Sequence, residues 1–260
     1  MEAKKNKATA FLGINLKIWI LFLILFVGAF LRTYHFSDWL HFELDQARDA
    51  RVISLAYAEG AENLPLLGPK AGGTFLRLGP FFYYFSYISA LIFGNTPSGI
   101  AFLIAIIGII AILLFFLFSR LYFSKNISLA ITLLFSSSVF LVIYSRFSWN
   151  PNMLPFFMLL SFYALLQSVN SSSPKKYWWL YLAFFSLGIT TQLHFLVFLA
   201  LPIIFLIFII YTRPKFKIYH WIISLLIIIM LYIPPIINDL KTGGDNIGQN
   251  RTALNLQTWA

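Results

Sequence analysis

The chain has 260 residues, of which 60% are hydrophobic and 11% charged, and it carries a formal net charge of +10. Its mean hydropathy of +0.80 and its repeated apolar runs exclude an ordinary soluble domain. The absence of cysteine excludes a disulfide framework and a thiolate metal site.

The long apolar runs are continuous, so they predict membrane helices and an all-α, polytopic bundle. The first run, residues 14–32, is too long for the core of a cleavable signal and predicts a retained span. We predict seven crossings, which cover residues 14–32, 98–119, 126–145, 151–169, 177–192, 195–211 and 219–238.

The basic residues decide the topology and argue against a nucleic-acid partner. Eleven of the 19 Lys and Arg residues fall at the N-terminus or in the short connections around residues 120–125, 175–176 and 213–217. Such connections face the cytoplasm. The apolar segment 80–93 would span only about 21 Å as a helix, and a full crossing there would put those connections outside. We therefore expect this segment at the outer surface, an N-terminus in the cytoplasm and a multi-pass protein of the plasma (inner) membrane.

This topology places nearly all acidic residues on the outer face, most of them in the loop 33–79 between the first two spans. We predict a helix over 45–59 in this loop, with Asp45 as its N-cap and Gly60 as its stop. Asp45, Arg48, Asp49 and Glu59 would face water. The turn-rich stretch 67–74 would fold the chain back over the membrane. Residues 1–238 would form one transmembrane module, and residues 239–260 would begin a second outer loop.

Asp45 is the candidate catalytic residue. A helix N-terminus and Arg48 would both keep its carboxylate ionised, and an ionised carboxylate in a cleft can take a proton from an attacking hydroxyl. The alternative is an ordinary helix cap with a local ion pair.

Arg77 and Arg146 lie at the lipid boundary, where arginine either binds phosphate or extends to headgroups.

Gln192 and His194 lie at the outer tip of a helical hairpin, where they either bind a phosphate or sugar or cap the backbone. The spacing of His35, Asp38, His41 and Glu43 matches no common metal-ligand signature. We therefore expect no metal site and no cofactor.

Several motifs in order along the chain resemble the C-type multi-spanning glycosyltransferases that use polyprenyl-phosphate sugars, such as protein O-mannosyltransferases and aminoarabinose transferases. The motifs are Leu44-Asp45-Gln46-Ala47-Arg48-Asp49, Leu78-Gly79-Pro80-Phe81-Phe82-Tyr83-Tyr84, Tyr144-Ser145-Arg146 with Asn150-Pro151, and Thr191-Gln192-Leu193-His194. The resemblance implies an inverting transfer with the first-loop aspartate, here Asp45, as general base. It also implies a basic residue before the Pro-containing run, for which Arg77 is the nearest match.

The sequence departs from this family at two places. Family members often have Asp-Glu where this chain has Asp45-Gln46, and they continue with further spans after the second outer loop, whereas this chain ends at Ala260. A fragment, a truncated gene and a shortened module, which includes an inactive one, are all consistent with that ending.

The resemblance implies a hexosyl- or pentosyltransferase. Its partners would be a polyprenyl-phosphate sugar donor, a lipid, glycan or protein acceptor with a free hydroxyl, and membrane lipids. Arg48, Arg77, Arg146, Gln192 and His194 would bind substrate. The alternative is a non-enzymatic membrane protein, either a lipid-sugar carrier or an assembly subunit. A carrier of that kind would show paired broken helices and midplane charges in an internal repeat, and the sequence contains no such repeat.

The topology can be tested with single cysteines, because the chain has none of its own. A cysteine replacing Ser37 in the outer loop should react with a membrane-impermeant maleimide in intact cells. A cysteine replacing Ser172 should react only after the cells are permeabilised. Labelling at position 172 in intact cells would reverse the predicted orientation.

Overall fold

The computed structural model describes residues 2–70 and 76–246, with side chains from residue 16 onward. Within these ranges the regular structure is helical, and the backbone pairing outside helices is one antiparallel bridge between Lys70 and Arg77. The α-helices are α1 (Glu2–Thr33), α2 (Leu44–Glu59), α3 (Phe81–Phe93), α4 (Pro97–Ser119), α5 (Lys125–Ser137), α6 (Val139–Tyr144), α7 (Leu154–Asn170), α8 (Lys176–Leu193), α9 (Phe195–Thr212), α10 (Ile218–Leu231) and α11 (Ile233–Thr242).

The all-α prediction is confirmed, and each predicted span coincides with a helix or a pair of consecutive helices. By length and composition, however, only four described helices are able to cross a membrane, or five if the bent pair α10–α11 counts as one span. The predicted number of seven is therefore not confirmed. The helix α3 has 13 residues, which agrees with a segment too short for a simple crossing.

The predicted span 126–145 is broken at Ser138, whose backbone leaves the helical region with ψ 118°. The hydroxyl groups of Ser136 and Ser137 both donate to the Leu133 carbonyl, and such bonds compete with the helical ladder. The break frees the Ser136 carbonyl, which accepts a hydrogen bond of 2.8 Å from the buried Arg32 on α1. A serine run thus ends α5, and an arginine satisfies the backbone there.

The second break lies at Tyr232, between α10 and α11, where the two axes differ by 56°. Two prolines follow, Pro234 and Pro235, and neither can donate a backbone hydrogen bond to the preceding turn. The Tyr232 hydroxyl donates to Thr191 on α8 at 2.9 Å, so the bend is fixed to the bundle.

The loop between α1 and α3 packs its helix α2 onto α3 through one buried face. Gln46, Asp49, Ile53 and Ala56 are buried on α2, at the spacing of a helical stripe. Ile53 belongs to the main core cluster together with residues of α3, α4, α7 and α8, such as Phe82. The helix of this loop is therefore part of the bundle.

The predicted fold-back of the loop is supported where the structure describes it. Gly68 donates to the Leu78 carbonyl at 2.7 Å, so the chain returns antiparallel to itself. Residues 71–74 of the predicted turn lie outside the described residues, as do residues 247–260 of the predicted second loop.

Candidate functional site

The helix α2 begins one residue earlier than predicted, and Asp45 is not its N-cap. Glu43 is the N-cap and forms a reciprocal capping box with Gln46, in which the Gln46 side chain accepts from the Glu43 backbone at 3.0 Å. A capping box needs Glu or Gln three residues after the N-cap. Gln46 stands at that spacing from Glu43, so Glu43 is the N-cap. Asp45 lies in the first turn, where the helix dipole still favours a carboxylate. Gly60 ends the helix, as predicted.

Asp45 is held by Arg48 on the next turn. The Arg48 Nη1 atom donates to Asp45 Oδ1 at 2.8 Å, and the Asp45 side chain is 51% exposed. The predicted pairing of these two residues is therefore present. The carboxylate keeps access to solvent while one of its oxygens is fixed.

Asp49 was predicted to face water, and that prediction is wrong. Its side chain is 1% exposed, with Oδ1 at 2.9 Å from both Arg48 Nε and the Tyr83 hydroxyl on α3. Burial raises the pKa of the Asp49 carboxyl, although the hydrogen bond and charge of Arg48 oppose that shift. The spacing of Asp49 from Ile53 and Ala56, at i+4 and i+7, was the signal in the sequence for this burial.

Asp45 borders a cleft of about 390 Å³ between the start of α2 and the segment after α6. The cleft is lined by His41, Glu43, Leu44, Asp45, Gln46, Tyr144, Phe147 and Trp149. Its aromatic side chains offer flat surfaces for the C–H faces of a sugar ring, and its carboxylates suit hydroxyl groups.

A second cavity of about 530 Å³ lies next to this cleft, and the two share Tyr144 and Trp149. Its lining is mainly apolar, from α4, α6, α7 and α9, and it also includes Arg32 and His194. The volume is typical of a small-molecule site. A polar cleft and an apolar cavity therefore meet at two aromatic side chains.

Arg146 does not line either of these two cavities, because its guanidinium group is bound to the end of α1. Its Nη1 and Nη2 atoms donate to the carbonyl oxygens of Leu31, Tyr34 and His35 at 2.9–3.0 Å. His35 has a left-handed φ of 46°, which turns the chain at this helix end. A cation bonded to a helix C-terminus stabilises the exposed carbonyl groups. The role predicted for Arg146 in binding phosphate has no support in this geometry.

His194 caps the α8–α9 hairpin, as the capping alternative predicted, whereas Gln192 bonds backbone groups at the ends of α3 and α10. The buried Gln192 amide accepts from the Phe81 backbone at 3.3 Å and donates to the Leu231 carbonyl at 3.1 Å. The Nδ1 atom of His194 accepts from the Leu196 backbone at 3.3 Å and caps α9. His194 nevertheless lines the apolar cavity, whereas Gln192 lines neither cavity.

Arg77 is exposed. Asn246 bonds both backbone groups of Arg77, at 2.9 and 3.1 Å, and these bonds do not involve its guanidinium group. Like Arg146, Arg77 lines neither of the two cavities.

Among the described residues, no three histidine or acidic side chains converge as a metal site would require. The closest approach is His35 to Asp38, at 2.5 Å, in an exposed pair. No described cluster therefore offers a metal centre for a mechanism to use.

The fold and this site define a multi-pass membrane protein with a carboxylate cleft beside an apolar cavity. The sequence profile of the dolichyl-phosphate-mannose-protein mannosyltransferase family matches residues 78–237, which is more than half of the chain. The chain belongs to this family, and it is a membrane glycosyltransferase of the type that uses polyprenyl-phosphate sugars. Comparison with curated proteins gave no match. The matched region begins at Leu78, so Asp45 lies outside it.

Position 79 requires a glycine, because a Cβ atom there would overlap the side-chain amide of Gln192. Gly79→Ala should therefore displace a buried hydrogen-bonding group and lower stability by about 1–3 kcal/mol. Thermal unfolding in detergent measures this loss. Gly188→Ala on α8 is the control, since the nearest atom there is the flexible end of Leu231 and alanine favours a helix. Equal unfolding temperatures for the two variants would contradict the packing described here.

Proposed function

We propose that the protein transfers a sugar from a polyprenyl-phosphate donor to an acceptor hydroxyl at the outer face of the plasma membrane, with the N-terminus in the cytoplasm. The hydroxyl oxygen attacks the anomeric carbon and forms the new glycosidic bond. Asp45 takes the hydroxyl proton, and the bond from the anomeric carbon to the phosphate oxygen breaks with inversion. The lipid phosphate leaves with the electron pair of that bond.

The junction of the two cavities carries this proposal. A polyprenyl-phosphate sugar has a polar head and a long apolar tail, so it needs a polar cleft that continues into an apolar cavity. The Asp45 cleft and the apolar cavity meet at Tyr144 and Trp149. This arrangement supports placing the sugar against the aromatic side chains and the first part of the tail between α6, α7 and α9.

Asp45 suits the role of general base for three reasons. It lies at a helix N-terminus, it is paired with Arg48, and half of its side chain is open to the cleft. The helix N-terminus and the arginine both place positive charge beside this carboxylate. The neighbouring Gln46 is committed to the capping box, so we assign no proton transfer to it.

The leaving phosphate needs positive charge, and Arg77 and His194 are the groups we assign to it. Arg77 is exposed and is the basic residue before the Pro-containing run, and His194 lines the apolar cavity. Charged donors placed where negative charge develops stabilise the transition state. Arg48 contributes through its bond to Asp45, and we no longer assign Arg146 or Gln192 to the donor.

Membership of a mannosyltransferase family supports a hexose of the mannose type as the sugar, and a pentose is the alternative. The acceptor is a lipid, a glycan or a protein that carries a free hydroxyl. We also propose that residues 1–238, which hold every group assigned here, form a single transmembrane module. Membership of a transferase family argues against a carrier or an assembly subunit.

Asp45→Asn tests the base. The substitution keeps the size of the side chain but removes its ability to accept a proton, so turnover of polyprenyl-phosphate mannose in membranes should fall by about 10²-fold or more. Binding of the donor should stay near the wild-type level. Turnover close to wild type in a folded Asp45→Asn protein would reject the assignment.

Arg77→Gln tests the phosphate site. Loss of a charged hydrogen bond should weaken binding of polyprenyl phosphate by about 1.5–3 kcal/mol. Arg51→Gln, on the exposed side of α2, is the matched control and should bind as the wild type does.

Arg146→Gln should lower the unfolding temperature instead, because it releases the end of α1. A loss of affinity in Arg146→Gln without a loss of stability would restore Arg146 to the phosphate site.

A further inference from the structure

Asp49 is the only buried acidic side chain among the residues whose side chains the structure describes. All of its hydrogen bonds use one oxygen atom, Oδ1. The hydrogen-bond partners are Nε of Arg48 and the Tyr83 hydroxyl, each at 2.9 Å. Nη2 of Arg48 also lies 2.9 Å from this oxygen, as an ion-pair contact. The other oxygen, Oδ2, is buried and has no hydrogen-bond partner in the described structure. A buried polar atom without a partner is costly, so its presence calls for an explanation.

Packing alone does not explain a carboxylate at this position. Ile53 and Ala56 already attach the same face of α2 to the bundle, and both are fully buried. An apolar side chain at position 49 would extend that contact without the cost of burying a charge. What Asp49 adds to packing is the pair of bonds to Arg48 and the bond to Tyr83.

Arg48 connects the buried carboxylate to the exposed one. Its guanidinium group is planar and rigid, so fixing Nε and Nη2 also fixes the direction of Nη1. Nη1 is the atom that donates to Asp45 at 2.8 Å. Exposure of the side chains rises along this series, from 1% for Asp49 to 45% for Arg48 and 51% for Asp45. Asp49, at the buried end of this series, is anchored in the bundle, and Asp45, at the exposed end, borders the cleft.

We propose that Asp49 is a positioning residue that orients Arg48 and, through Arg48, the carboxylate of the base Asp45. This inference rests on the proposed function of Asp45. Tyr83 fixes Asp49 to α3, so the direction of the base depends on the packing of α2 against α3. Arg48 binds Asp45 through Oδ1, and the second carboxylate oxygen of Asp45 is the one turned to the acceptor proton.

The experiment measures kcat and KM for transfer of labelled mannose from polyprenyl-phosphate mannose in membranes that contain the full chain. Asp49→Asn keeps the shape of the side chain and removes its charge. It should lower kcat by about 10- to 100-fold, the range expected when a catalytic group is misplaced. The KM for the donor should stay within about twofold, because Asp49 does not touch the donor. Glu59→Gln, an exposed carboxylate on the same helix, is the control and should behave as the wild type does.

The double variant Asp45→Asn/Asp49→Asn distinguishes positioning from a structural role. If Asp49 acts only through Asp45, the double variant should have the same kcat as Asp45→Asn alone. A merely structural role would instead make the two losses multiply, and it would lower the unfolding temperature or raise KM. Either of these results would overturn the inference.

Tyr83→Phe covers the case in which Asp49→Asn does not fold. It removes one bond from Asp49 without a change in charge and should lower kcat several-fold at constant KM. An unchanged kcat in Tyr83→Phe, or in a folded Asp49→Asn, overturns the positioning role while the function of Asp45 stands. A normal kcat in Asp45→Asn, or no transfer by the wild type, overturns the proposed function itself.

Discussion

The backbone carbonyl groups at the ends and breaks of the helices must find hydrogen-bond donors inside the protein, because lipid offers none. Three long polar side chains supply them: Arg32 at the α5 break, Arg146 at the end of α1, and Gln192 between α8 and α10. These residues join the ends of several helices to one another. The same constraint limits the chemistry, because a guanidinium or amide group bound to the backbone is not free for a ligand.

The chemistry is therefore left to groups that the backbone does not use. Asp45 and Arg48 lie on the exposed side of α2 and are bonded to each other. Asp49 on the same helix is bonded to Tyr83 on α3. A base on a loop would lose its direction through the motion of the loop, whereas a base on an anchored helix keeps it. The Asp45 cleft and the apolar cavity lie side by side and share Tyr144 and Trp149, which is the arrangement we propose for a substrate with a polar head and an apolar tail.

Much of this fold could be predicted from local sequence patterns. Continuous apolar runs predicted the position of every span, and Gly60 marked the end of α2, because both signals depend on neighbouring residues. The partners of Arg146 and Gln192 are distant in sequence, so a local pattern could not distinguish a backbone bond from a phosphate site. Ser138 was missed because serine is tolerated within a span. The burial of Asp49 was readable from its spacing to Ile53, but charge was given more weight than spacing.

The most direct test of this account is an experimental structure of the protein with polyprenyl-phosphate mannose bound. The account predicts that the tail enters the apolar cavity beside His194, that the phosphate lies near Arg77, and that the anomeric carbon faces the Asp45 carboxylate across the cleft. A donor bound at the opposite end of the bundle, near Lys175 and Lys215, would contradict the account. So would a sugar whose anomeric carbon lies out of reach of Asp45.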